Sequence, residues 1–232
     1  MRRLAISCGG ILLLAFNTPL GGAGKQSDKN TGIVVDKAKR TISIDAKIAP
    51  RKLPHLKGEV YPIEVIACWP HPKGKKAHET VVTIEATPSA VHKALVDFGL
   101  KPGTPVMGGE KDEPQGPELN VYLEIPGPDG ETKRLSIDKT LVDTRTGKPF
   151  PKNVKWRFTG SVMSKPDPSK NEEIYGADQT GTLMVIFPVS NQTVLQTNLS
   201  MQYERFMKLE TNAKALPPEG TPVKLVLEAP AK

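Results

Sequence analysis

The chain has 232 residues, 38% hydrophobic and 25% charged, with 32 basic against 25 acidic side chains and a net charge of +7. That is enough apolar material for one sizeable core, while two cysteines are too few for a disulfide framework. An aromatic content of 5%, with the cations spread along the chain, offers no stacking platform for single-stranded nucleic acid, so no nucleic-acid partner is expected and the charge supports only a weak attraction to anionic surfaces.

Met1-Arg2-Arg3 is a short cationic leader, residues 4–16 are an apolar run interrupted by Ser7, Cys8, Gly9 and Gly10, and small residues lead to Ala23. This layout predicts a secretory signal peptide over 1–23, cleaved after Ala23. The run is too short to cross a hydrocarbon core, which takes roughly 20 residues, and no later segment is longer or more apolar, so the mature chain is expected to have no transmembrane segment. Cys8 precedes most of the apolar run, whereas a lipid-modified cysteine follows it; export to the periplasm or beyond without a lipid anchor is the expectation.

Cleavage removes Arg2 and Arg3 and no acid, so 32 basic side chains become 30 against 25 acidic ones, a net charge of +5. Cys68 is then the sole cysteine. It can make no intramolecular disulfide, and an iron-sulfur cluster held by several cysteines of this chain is not expected. Its place at the end of an apolar segment reads as a small buried hydrophobe. Paired with His71 it would make a C-x-x-H half-site, but no second half completes a coordination sphere.

Residues 24–31 are polar and read as a disordered tether, ahead of a single domain over 32–232. Strands at 33–35 and 41–44 flank a polar turn and predict a hairpin. A further strand is expected over 61–68, where Pro62 and Pro70 limit pairing, and another over 79–86, rich in Val, Thr and Ile. Thr87 then offers an N-cap hydroxyl and Pro88 a preset first turn. Val91, Ala94, Leu95 and Phe98 recur at helical spacing, which predicts a helix over 88–98 with one apolar face, stopped by Gly99.

Strands over 119–125 and 132–137 flank the turn-rich PGPDG and predict a second hairpin. One helical turn is expected over 138–143. Val154, Trp156 and Phe158 alternate with Lys155 and Arg157, the pattern of a half-buried strand. Strands over 182–187, 202–209 and 223–227 complete the set, with 164–171 as a surface excursion. The sum is an α+β, mainly β single domain: roughly nine strands in antiparallel hairpins and one main helix docked on the sheet.

The segments KGKKAHETVV, TPSAVHKALVDFGLKPGTPV, TGKPFP with WRFTGS, and PPEGTPVKLVL together resemble the YdjY domain family of exported bacterial proteins. They are most similar to its cysteine-poor, planctomycete-type members, and the likeness extends over residues 32–228. The motifs are structural turns and a helix rather than a reaction signature, and the resemblance implies no established activity. Some members carry a cysteine-rich segment and are described as ferredoxin-like or metal-binding. The corresponding GTLMVIFPVSN here contains no cysteine, so that property does not carry over.

Candidate site residues are His78 and Glu79 before one strand and His92 on the following helix. Two imidazoles and a carboxylate would suit a divalent metal, whereas the plainer reading gives each histidine a structural partner. His78-Glu79-Thr80-Val81-Val82 fails the H-E-x-x-H pattern at Val82, and neither a G-x-S-x-G elbow nor a phosphate-binding glycine loop occurs. With no catalytic residue to name, the leading expectation is an exported, non-catalytic binding or accessory protein, with a cell-envelope protein as its partner. The alternative is a metal-binding protein or metal-dependent enzyme built on His78, Glu79 and His92.

Overall fold

The computed structural model describes residues 26–28, 32–108, 113–127 and 129–230. The leader expected over 1–23, with Cys8, lies outside them. In chain order the first strands are β1 (Gln26–Asp28), β2 (Ile33–Asp36), β3 (Thr41–Ile48), β4 (Val65–Cys68) and β5 (Thr80–Ile84), followed by helix α1 (Pro88–Asp97). Then come β6 (Glu118–Pro126), β7 (Thr132–Ser136), β8 (Leu141–Asp143), β9 (Trp156–Phe158), β10 (Met163–Ser164) and β11 (Ile174–Tyr175). The chain continues through α2 (Gly176–Thr180), β12 (Thr182–Val185), β13 (Leu195–Thr197), α3 (Met201–Phe206), β14 (Leu209–Thr211) and β15 (Pro222–Glu228).

Eight strands close into a barrel in the order β3, β15, β6, β9, β13, β12, β4, β5 and back to β3. Closure removes the exposed edges that an open sheet would present. All contacts around the ring are antiparallel except the parallel pairs β12–β13 and β4–β5. Both expected hairpins exist, β2–β3 and β6–β7; in each, one strand, β3 or β6, belongs to the ring and the other is added outside it. β3 pairs with β2 along its first half and with β5 along its second, and β6 likewise serves β9 and then β7. The expectation of a sheet assembled from hairpins is therefore corrected to a barrel. The reason is physical: β15 zips along β3 over Pro222↔Lys47 to Glu228↔Thr41, a pairing between opposite ends of the domain that no local pattern announces.

Alternation explains which side of each strand faces in. In β6, Leu119, Val121, Leu123 and Ile125 are buried between more exposed neighbours, and in β3 Ile42, Ile44, Ala46 and Ile48 play that part. β4, β12 and β13 are buried on both faces, and a second cluster of Leu53, Val65, Cys68, Ala77 and Val185 packs outside the main core. Each fully buried Leu, Ile or Phe contributes about 1.5–3 kcal/mol by leaving water. One main core of buried side chains unites the strands, giving a mainly β single domain with few helices.

α1 forms as its sequence dictates. Thr87 Oγ1 accepts the Ala90 N–H at 3.2 Å, Pro88 occupies the first turn, Val91 and Leu95 are buried, and Gly99 takes φ +100° just past the end. Three local expectations change. Residues 138–143 are a 3-10 turn over Ile137–Thr140 followed by strand β8. The strand expected over 202–209 is instead α3 and then β14: Met201 and Met207 pack on the core at either end of the helix, while Tyr203 and Phe206, three residues apart and so on one helical face, are exposed. Within the segment expected as a tether, Gln26–Asp28 pair with β2.

Candidate functional site

His78 and Glu79 lie on a 3-10 turn, Ala77–Glu79, immediately before β5. The Glu79 carboxylate is buried and shared: Oε2 accepts from Lys76 Nζ at 2.6 Å and Oε1 lies 3.1 Å from His78 Nε2. Lys76 also reaches Glu64 Oε2 at 3.3 Å, so one ammonium serves two carboxylates. Burial, reinforced by the charge of Glu79, holds the Glu64 carboxyl above the ordinary value even though Lys76 pulls the other way. Burial also works against the Lys76 charge, but the hydrogen bond and charge of Glu79, with help from Glu64, outweigh it and raise the ammonium pKa. His78 itself meets the Tyr61 ring edge-on at 5.0 Å. This group is a charge clamp that fixes the 3-10 turn against the segment before β4.

His92 has other partners. From α1 its Nδ1 lies 2.6 Å from the Tyr175 hydroxyl, and its ring meets Phe158 edge-on at 5.1 Å. Burial lowers the imidazole pKa and pushes the Tyr175 phenol far upward. The pair straps α1 to β9 and β11. The structure thus joins His78 with Glu79 and sets His92 among aromatic side chains. Among the described residues no group of three or more His, Cys, Asp or Glu side chains is arranged to hold a metal ion.

Cys68 is fully buried, its Sγ donates to the Trp69 carbonyl at 3.1 Å, and burial pushes the thiol pKa up to about 12. His71 stacks instead on His55, with ring centroids 3.9 Å apart. A thiol so protected is a poor nucleophile. Ellman's reagent at pH 8 is expected to leave the native protein unlabelled and to titrate one thiol of the mature chain in guanidinium chloride. Rapid native labelling would contradict the packing around β4.

Sequence reasoning missed a cleft of about 300 Å³ beside α3. Ile63, Phe187 and Met207 give it an apolar lining, Arg145, Arg205 and Lys208 place three cations about it, and Glu64 and Glu204 add acid. Two segments are tied together to build it: the Thr144 N–H donates to the Lys208 carbonyl at 2.8 Å, and the Lys208 N–H donates to Asp143 Oδ1 at 3.1 Å. Arg145 Nη1 donates to the Arg205 carbonyl at the end of the helix. Beside the cleft, Phe206 is 71% exposed and Tyr203 46%. Their i,i+3 spacing was the available signal, obscured by reading 202–209 as a strand.

Among the described residues, the Arg205 guanidinium and the Lys208 ammonium have no carboxylate partner. The arrangement can bind an amphiphilic anion by charge and apolar contact, and it contains no activated nucleophile or proton relay. The family model of the YdjY domain matches residues 33–228, and no curated protein and no solved structure matches the chain. Local elements, barrel and match together leave one conclusion: the chain belongs to the YdjY domain family.

Proposed function

We propose that the protein is an exported, non-catalytic binding or accessory module whose recognition surface is the cleft and the outward face of α3. The observation that carries this reading is the exposed Phe206 beside the unpaired cations Arg205 and Lys208, a combination suited to holding a partner rather than transforming one. Supporting it, the side chains most able to do chemistry are committed elsewhere: Cys68 to the core, His78 and Glu79 to the Lys76 clamp, and His92 to Tyr175. Export rests on the cationic, apolar leader at the N-terminus.

The mature protein is expected to turn over nothing in a broad hydrolase and oxidoreductase panel. Turnover that disappears in His78→Ala would overturn the non-catalytic reading. Export is checked by N-terminal sequencing of protein from the producing cells, which should begin near residue 24. Intact Met1 on cytosolic protein would defeat it.

A further inference from the structure

We propose that the α3 surface docks onto an anionic phospholipid bilayer, with Phe206 and Tyr203 entering the interface and Arg145, Arg205 and Lys208 meeting the headgroups. This rests on the recognition surface proposed above and names its partner.

Phe206 differs from the other described phenylalanines. Phe150, Phe158 and Phe187 are each at most 1% exposed and Phe98 packs partly against the core, yet Phe206 is 71% exposed. A ring exposed to that degree stands off the protein and does not line a recess. A fluid bilayer receives such a side chain without a preformed pocket. Tyr203, three residues earlier, lies on the same side of the helix and is 46% exposed. Its phenol combines an apolar ring with a polar tip, the character favoured at headgroup depth.

Charge selects the lipid. Arg145, Arg205 and Lys208 are exposed beside the same helix, and neither Arg205 nor Lys208 is neutralised by a carboxylate of the described residues. Cations flanking an inserted aromatic favour an anionic leaflet. Glu204 and Glu64 share the cleft with these cations, and the three cations outnumber the two carboxylates there. Phe206, two residues beyond Glu204 on the helix, points in nearly the opposite direction.

The platform is also rigid enough to present these groups together. Met201 and Met207 anchor the helix to the core, and the bonds from Thr144 and Arg145 fix its C-terminal end to the turn after β8. An acidic peptide would use the same cations and the apolar lining of the cleft, but it would leave Phe206 in water. The bilayer accounts for both features.

The test is flotation of the mature protein with vesicles of phosphatidylcholine alone or mixed equally with phosphatidylglycerol. Binding is expected to the mixed vesicles and to be at least roughly tenfold weaker to phosphatidylcholine alone, with the difference shrinking as salt shortens the screening length from ~10 Å to ~3 Å. Phe206→Ser should reduce partitioning roughly tenfold in low and high salt with an unchanged melting temperature, since its side chain is exposed. Arg205→Glu should abolish the preference for phosphatidylglycerol and spare the residual binding.

No binding to the mixed vesicles, or binding indifferent to Phe206→Ser, overturns the proposal. Hydrogen exchange across residues 201–208 with poly-glutamate then separates the two layers. Protection by poly-glutamate without vesicle binding leaves the recognition surface standing and the bilayer proposal refuted. Protection by neither removes both.

Discussion

An Arg51→Met variant is expected to lose about 2–3 kcal/mol of stability, less than the roughly 3–5 kcal/mol for a fully buried ion pair, because the Glu210 side chain is 30% exposed. The Arg51 side chain is 11% exposed, and its guanidinium serves acceptors from three parts of the chain. Nε and Nη2 donate to the two Glu210 oxygens at 2.7 and 3.1 Å, Nη1 donates to the His78 carbonyl at 2.9 Å, and Nη2 also donates to the Tyr61 carbonyl. One side chain thereby fastens β14, the 3-10 turn carrying His78, and the segment leading into β4. Methionine keeps much of the volume but leaves two carbonyls without their donor and the Glu210 carboxylate with Thr211 alone, and unsatisfied buried groups cost about 1–3 kcal/mol each. Urea denaturation at pH 7 should show the midpoint falling in proportion to that loss. Arg51→Lys should recover part of the loss, because an ammonium cannot reproduce the forked contact. A loss below about 1 kcal/mol would show that the contacts are not energetically coupled.

Acid should reveal the same pair. Burial works to raise the Glu210 carboxyl, but the hydrogen bonds and charge of Arg51, together with donation from Thr211, prevail and hold it below the ordinary carboxylate value. A group depressed on folding contributes stability above its unfolded pKa and loses it as pH falls through its folded pKa. Wild type should therefore weaken as pH drops below about 4.3, the ordinary glutamate value, and Arg51→Met should lack that part of the decline.

How far the sequence foretold this architecture depends on the range of each interaction. Thr87, Pro88 and Gly99 fix α1 by contacts within a few residues, and the β2–β3 and β6–β7 hairpins follow from short turns between apolar runs. Each could be read locally. Ring closure could not, because β3 meets β15 and β5, and β9 meets β6 and β13, through pairings set by tertiary packing. β13 is a further example: three residues, Leu195–Thr197, are too few to show a period, yet all are buried.

The candidate site divides along the same line. His78 and Glu79 are sequence neighbours and do interact, whereas joining His92 to them required an assumption about strand and helix packing that the actual partners, Tyr175 and Phe158, do not meet. The α3 cleft was invisible because Arg145 and Arg205 meet only after β8 and β14 pair.

The barrel's ladders are short at β9, as they are between β12 and β13, and Phe158→Ala is expected to show how much of the fold depends on β9. β9 joins β6 through only Glu118↔Arg157 and Leu119↔Trp156, and joins β13 through three residue pairs. So short a ladder needs side-chain packing to hold it. Phe158 supplies that packing: its side chain is fully buried, His92 meets its ring edge-on, and its carbonyl accepts the Gly103 N–H at 3.0 Å. Gly116 comes so near that an added Cβ would lie 2.1 Å from the Phe158 oxygen, so the backbones here are already in close contact.

Where the site cannot collapse, the cavity persists, so the loss should reach about 3–5 kcal/mol, with the edge-on ring pair accounting for about 0.5–1.5 kcal/mol of it. Set against a net stability of about 5–15 kcal/mol, this leaves a folded but much weakened domain. NMR titration of His92 supplies a local readout. Burial keeps its imidazole pKa low in wild type, and the cavity should admit water and move it back toward about 6.5. Phe158→Leu, which fills most of the space, should restore most of the stability and keep the low pKa. A Phe158→Ala protein with wild-type stability and an unchanged His92 titration would mean that ring closure draws its strength from elsewhere around the barrel.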